Sequence, residues 1–144
     1  MTKPAATAAF ISYVSDDSAA VDRVVSHLAS HGVTVWLDRA QLKPGERWKQ
    51  ALRTAIREGS FFVACFSENS EKRTRSYMRE ELTLAIEEIR QRPHDHAWFI
   101  PVKITPCRVP EISISASEAL LDLQYIDLTL NWDKGMELLV ASLA

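Results

Sequence analysis

A chain of 144 residues with 47% hydrophobic content supports one domain with a real core and leaves two domains cramped. Lys+Arg 17 against Asp+Glu 19 gives a formal charge of -2, which excludes a global electrostatic pull toward nucleic acid. Cys65 lies in an apolar run and Cys107 in a Pro-flanked loop, without metal-like spacing to other ligands, as expected of a reduced protein rather than a disulfide scaffold. Met1 to Thr7 has no signal-type apolar run and reads as a disordered N-terminus before one domain over 8–144. No later apolar run could span a bilayer, so a soluble, cytoplasmic protein with no membrane partner is expected.

Ala8 to Tyr13 is a short apolar run suited to a buried strand. Asp16, Asp17 and Ser18 offer caps for a helix whose Val21, Val24, Val25 and Leu28 recur at helical spacing. Gly32 stops that helix, and Val33 to Leu37, β-branched and aromatic, forms a second strand. Asp38 to Glu46 is a polar loop turning at Pro44-Gly45. Trp48, Ala51, Leu52, Ala55 and Ile56 make the next helical stripe, ended by Gly59. Phe61 to Phe66, apolar without alternation, fits a central strand covered on both faces. Ser67 to Arg75 reads as a charged loop, its basic residues either solvated or offered to a phosphate.

Ser76 to Ile89 follows as an amphipathic helix with Met78, Leu82, Ala85, Ile86 and Ile89 on one stripe. Its adjacent carboxylates are expected to part company. Glu80 points away from the stripe to water, whereas Glu81 falls near the stripe's edge, one turn after Tyr77. A half-sunk carboxylate there is either a boundary residue reaching for solvent or a partly desolvated group with a raised pKa and a strong field. Ala97 to Ile104 reads as a fourth strand, with Pro101 suggesting an edge or bulge. Thr105 to Ser117 is a Pro- and Ser-containing loop with one helical turn at most. Leu121 to Leu128 alternates like an edge strand, and Trp132, Met136, Leu139, Val140 and Leu143 line a last helix.

Strands alternating with helices imply a parallel sheet with right-handed crossovers. Five strands fit the flavodoxin-like order 2-1-3-4-5, with helices on both faces. Ligands in such sheets sit outside the carboxyl ends of the strands, where Tyr13 to Asp17, Asp38 to Arg47 and Ser67 onward would gather. The expected place of Glu81 is beside that edge.

The chain resembles a Toll/interleukin-1 receptor (TIR) domain. The resemblance rests on Phe10-Ile11-Ser12-Tyr13 with an acidic pair after it, Val35-Trp36-Leu37-Asp38, and Leu42-x-Pro44-Gly45-x-x-Trp48. Ala55-Ile56, Phe66-Ser67 and Tyr77-x-x-x-Glu81 complete it, over roughly residues 8–143. Tyr125-Ile126-Asp127 with Asn131-Trp132-x-Lys134-Gly135 is similar to prokaryotic TIR proteins linked to short Argonautes or nucleotide-sensing modules. The resemblance implies an anti-phage effector that consumes NAD, with Glu81 as the catalytic carboxylate. It also implies Ser12, Tyr13, Trp36, Asp38 and Tyr77 as substrate-binding residues, although Tyr77 stands where the family often has Trp. Lys43, Pro44, Gly45 and Arg47 would belong to a loop through which TIR domains self-associate. The implied partners are NAD as substrate, other TIR domains, and a sensor module or partner protein. No cofactor and no direct nucleic-acid contact are implied.

Breaking the nicotinamide–ribose bond builds positive charge on the ribose, and the pyridinium leaving group needs no proton. One carboxylate beside the ribose therefore suffices. An aromatic such as Tyr77 or Trp36 could stack on the nicotinamide, and Arg75 or Arg47 could meet the phosphates. No Gly-x-Gly-x-x-Gly or Walker lysine points to a redox enzyme or NTPase, and His94-Asp95-His96 reads as a polar loop rather than a metal site. A phospho-receiver of this topology would want Asp after the third strand, where Phe66-Ser67-Glu68 stands. The remaining rival is a non-catalytic TIR scaffold, for which position 81 would be free to vary.

Overall fold

The computed structural model describes residues 8–37, 47, 50, 53, 61–72, 77–91 and 98–143, with Trp36, Leu37 and Tyr77 described by backbone alone. The expected disordered start, the loop from Asp38 to Glu46, most of the Trp48–Ile56 helix with Gly59, and His94-Asp95-His96 lie outside the described residues.

Five strands, β1 (Ala8–Ser12), β2 (Thr34–Leu37), β3 (Phe61–Phe66), β4 (Phe99–Lys103) and β5 (Ile126–Asp127), form one sheet in the order β2-β1-β3-β4-β5. Every pairing is parallel, which gives the flavodoxin-like α/β fold. Among the described residues, the helices α1 (Ser18–Ser30), α2 (Glu68–Lys72), α3 (Tyr77–Gln91) and α4 (Trp132–Ser142) accompany it.

The period-2 alternation of the strands sorts the apolar residues into two cores. Phe10, Phe62, Ala64, Phe66 and Phe99 pack with Met78, Leu82, Ala85 and Ile86 of α3 on one face. Ala9, Ile11, Val63, Cys65 and Val102 pack with α1 and α4 on the other. Residues Phe10, Phe62 and Phe99 are register partners across β1, β3 and β4. Their rings stack 5.4 and 5.2 Å apart in one row under α3. On the opposite face the Arg23 guanidinium lies 3.9 Å over the Trp132 ring, joining α1 to α4.

Gly32 ends α1 as its position in the sequence predicts. With φ at +79°, its N–H donates to the Ala29 carbonyl while the Val33 N–H reaches back to that of Leu28. These two bonds satisfy the last carbonyls of the helix, and the buried Leu28 and Val33 share one core.

Pro101 turns out to lie inside the sheet, on β4 between β3 and β5. The Trp98 carbonyl accepts from Phe62 N–H, and Ile104 N–H donates to the Phe66 carbonyl, so the even-numbered residues of β4 bond to β3. Pro101 therefore turns its missing donor toward β5, whose pairing begins only at Val102.

The fifth strand is much shorter than its alternation suggests. Leu120 to Asp122 forms a 3-10 turn, with the Ala119 N–H donating to the Asp122 carboxylate, and only Ile126–Asp127 pairs. Leu120 is buried while Leu121 and Tyr125 are exposed, so the segment folds around one anchor rather than along an extended face. It is an edge strand as expected. The loop before it contains no helical turn. It places Ile114 in the core beneath α3, where Arg90 Nε donates to the Ile114 carbonyl at 2.6 Å.

Helix α4 begins at Asn131, whose side chain accepts from the Lys134 N–H at 3.0 Å. Gly135 lets this helix approach β5: a Cβ there would lie 2.5 Å from Leu128 Cδ2 and 3.2 Å from the Asp127 carbonyl oxygen. No helix among the described residues is long and apolar enough to cross a membrane.

Candidate functional site

Ser12 ends β1 on the same face as Phe10, so its hydroxyl looks toward α3. There Ser12 Oγ donates to Glu81 Oε1 at 2.8 Å, across a separation of 69 residues. Glu80 is exposed, as the helical periodicity predicts. Glu81 departs from expectation. It is not half-sunk at the edge of the stripe but 1% exposed, beside Met78, Leu82 and Leu84, which are buried too. The burial is tolerable because the strand end supplies a hydroxyl donor to the carboxylate. In surroundings that screen charge poorly, such a carboxylate acts more strongly on a neighbouring positive charge than it would in water.

A second polar group lies at the same edge of the sheet. Asp17 stands at the N-cap position of α1 but makes no side-chain cap bond, contrary to the capping role suggested by its residue type. Its carboxylate instead accepts from the Ser67 hydroxyl through Oδ2, and from Asn69 Nδ2 at 2.8 Å through Oδ1. Ser67 is tied in turn: its Oγ accepts from Ser70 N–H at 3.0 Å, and its own N–H donates to Ser70 Oγ at 2.8 Å. This reciprocal pair caps α2, a five-residue helix inside the stretch that reads as a charged loop. Of the basic residues there, Lys72 pairs with Glu68 at 3.3 Å on the surface and Arg79 is exposed. Glu68 N–H donates to Thr105 Oγ1 at 2.8 Å, tying the ends of β3 and β4 together.

The other expected site residues are described only in part. Tyr13 packs with the α1 and α4 core, across the sheet from Glu81. The Trp36 backbone pairs with Phe10 on β1, and Tyr77 opens α3 one turn before Glu81. Arg47 is exposed, whereas Asp38, Lys43, Pro44 and Gly45 lie outside the described residues. Sequence reasoning placed Asp17, Ser67 and the residues after it at this edge without joining them. The topology was the available signal.

Among the described residues, Cys65, Cys107 and Asp127 have shifted titrations. Burial, aided by the Asp17 charge, pushes the Cys65 thiol up to about 12. Burial likewise pushes Cys107 up to about 11, against the opposing influence of Lys103. The Thr129 hydroxyl bond holds the Asp127 carboxyl below its usual range, although that side chain is close to solvent. Both thiols are free, and the described residues contain no group of three His, Cys, Asp or Glu placed to hold a metal.

Comparison with known proteins adds the family. A search of the curated proteins finds no match. Among solved structures, the TIR domains of the activated Roq1 resistosome, which recognises the pathogen effector XopQ, align at 28% identity and TM-score 0.52 over 67% of this chain. A metazoan TIR-STING receptor from C. gigas, solved with 2',3'-cGAMP, aligns over 100% of the chain at 20% identity and TM-score 0.67. A prokaryotic SEFIR domain aligns over 95% of this chain and 98% of its own, at 16% identity and TM-score 0.60. The present chain spans 57% of the Roq1 chain and 41% of the TIR-STING chain. The TIR domain family itself matches residues 9–140, from the second residue of β1 through most of α4. With that match and this strand order, the chain belongs to the TIR domain family.

Proposed function

We propose that this TIR domain is an NAD glycohydrolase that cleaves the nicotinamide–ribose bond and is activated by self-association. The observation that carries the reading is the Ser12–Glu81 pair, a buried carboxylate anchored at the carboxyl end of β1. Ligands of open parallel sheets gather at that edge. In this reading Glu81 faces the ribose as the glycosidic bond lengthens, and its fixed charge stabilises the developing cation. Ser12 holds the carboxylate in place, and once nicotinamide has left, a water oxygen bonds to the ribosyl carbon and the water's proton passes to solvent. With Glu81 at 1% exposure, substrate reaches it only after the cover above it shifts, and contact with a neighbouring TIR domain would drive that shift. The likeness of its closing residues to prokaryotic TIR proteins supports a cytoplasmic effector in anti-phage immunity, switched on by a sensor module or partner protein.

A non-catalytic scaffold is the second reading. It is favoured by the same burial, since a carboxylate satisfied by Ser12 can serve the fold alone. Nicotinamide release measured across a protein dilution series separates the two. Specific activity is expected to rise on the order of tenfold or more from dilute to concentrated protein. Pro44→Ala combined with Gly45→Arg should suppress that rise and leave the circular dichroism spectrum unchanged. High activity independent of concentration would remove the self-association step, and no turnover at any concentration would leave the scaffold.

A further inference from the structure

We propose that Asp17 is a positioning residue of this site: its bridge to Ser67 and Asn69 fixes the corner after β1 so that its exposed residues, Ser15 and Asp16, form the wall on which NAD seats. The inference rests on the NAD-cleaving reading above. Asp17 is 6% exposed, whereas Ser15 and Asp16 in the same corner are exposed. Both of its carboxylate oxygens are engaged by partners 50 and 52 residues away. A 3-10 turn over Ser15–Asp17 leads directly into α1, so this carboxylate makes no cap bond and is committed wholly to partners from the segment after β3. The bridge clamps two segments that leave neighbouring strands at the carboxyl edge of the sheet. One is the corner leaving β1, which starts immediately after the Ser12 that holds Glu81. The other is the cap of α2, where Ser67 Oγ is fixed from its far side by Ser70 N–H. A clamp on both sides makes the corner rigid and sets its distance from Glu81. Loosening it would weaken substrate binding while leaving the reacting carboxylate in place.

The test compares Asp17→Ala, Asp17→Asn and the exchange Asp17→Asn with Asn69→Asp under conditions where the parent turns over NAD. In the exchange, the amide introduced at position 17 accepts from Ser67 through its oxygen and donates through its nitrogen to the carboxylate introduced at position 69. The bridge is thus rebuilt with one bond reversed. Asp17→Ala is expected to raise KM for NAD about 10-fold with kcat within about 3-fold, and the exchange to return KM to within about 3-fold of the parent. Should Asp17→Ala fail to fold, Asp17→Asn alone, with one acceptor lost, is expected to show the same split at smaller size. A purely structural role would lower kcat in proportion to the folded fraction and leave KM unmoved, and that result overturns the proposal. So does an exchange variant that folds but keeps the raised KM. A parent that releases no nicotinamide removes the NAD reading itself and this substrate with it, a failure distinct from an unmoved KM in an active enzyme.

Discussion

Glu81→Gln is expected to lower nicotinamide release from NAD by ~10²–10³, about 3–4 kcal/mol of transition-state stabilisation, and Glu80→Gln to leave it unchanged. The two residues are neighbours on α3 with opposite surroundings, one buried against Ser12 and the other exposed, so each controls for the other. Glutamine keeps the length of the side chain and an oxygen that can accept from Ser12 Oγ. The fold is therefore expected to lose no more than about 1 kcal/mol at position 81. What disappears is the negative charge, whose attraction strengthens as positive charge moves from the pyridinium onto the ribose. The effect should consequently fall on kcat rather than KM. The measurement is nicotinamide release by the three proteins at a concentration where the parent is active, with urea melts beside it. Equal rates in all three would remove Glu81 from the chemistry.

Phe62→Ala is the change expected to cost the fold most, about 3–5 kcal/mol, against a total stability of about 5–15 kcal/mol for a domain of this kind. Phe62 is 0% exposed near the start of the central strand. Its ring is stacked on Phe10 on one side and Phe99 on the other, with Trp98 a further 5.7 Å neighbour. Truncation opens a gap in that row, which α3 cannot close without sliding toward the sheet. Leu130→Ala, at a side chain 89% exposed, is the matched control and should change little. Urea midpoints for the two variants check the pair, and a Phe62→Ala midpoint near that of Leu130→Ala would show that the row contributes little to stability.

Much of the fold was legible because it is written in periods. The i, i+3, i+4 spacing of Val21, Val24 and Leu28, and of Met78, Leu82, Ala85 and Ile86, marks faces that are buried, and Gly32 sits at the left-handed stop it suggests. The strand runs and their alternation with helices were enough for the sheet order. Side-chain bonds between distant segments carry no period. The bridge from Asp17 to Ser67 joins residues whose sequence neighbourhoods read as a helix cap and a charged loop, so local rules misassigned both. The 121–128 segment failed for a related reason. Its alternation is real, but the Asp122 carboxylate closes a turn on the Ala119 N–H and stops the strand from extending. Within the site, the direction of Glu81 followed from the helix period. Its complete burial depended on a serine 69 residues earlier.

The free thiol at the centre of the sheet turns the protein into its own stability gauge. Cys65 is 0% exposed on β3 and its thiol is pushed up to about 12, so an alkylating reagent meets a reactive thiolate there only when the chain opens. Cys107, in the crossover beyond β4, is only partly buried and, though its thiol is pushed up to about 11, is the less protected reference within the same molecule. For an opening free energy of about 5 kcal/mol, labelling of Cys65 should lag that of an unfolded peptide by a factor on the order of 10³–10⁴. The ratio of the two labels, read by mass in dilute lysate, thus ranks variants of this domain by folding free energy without purification or denaturant.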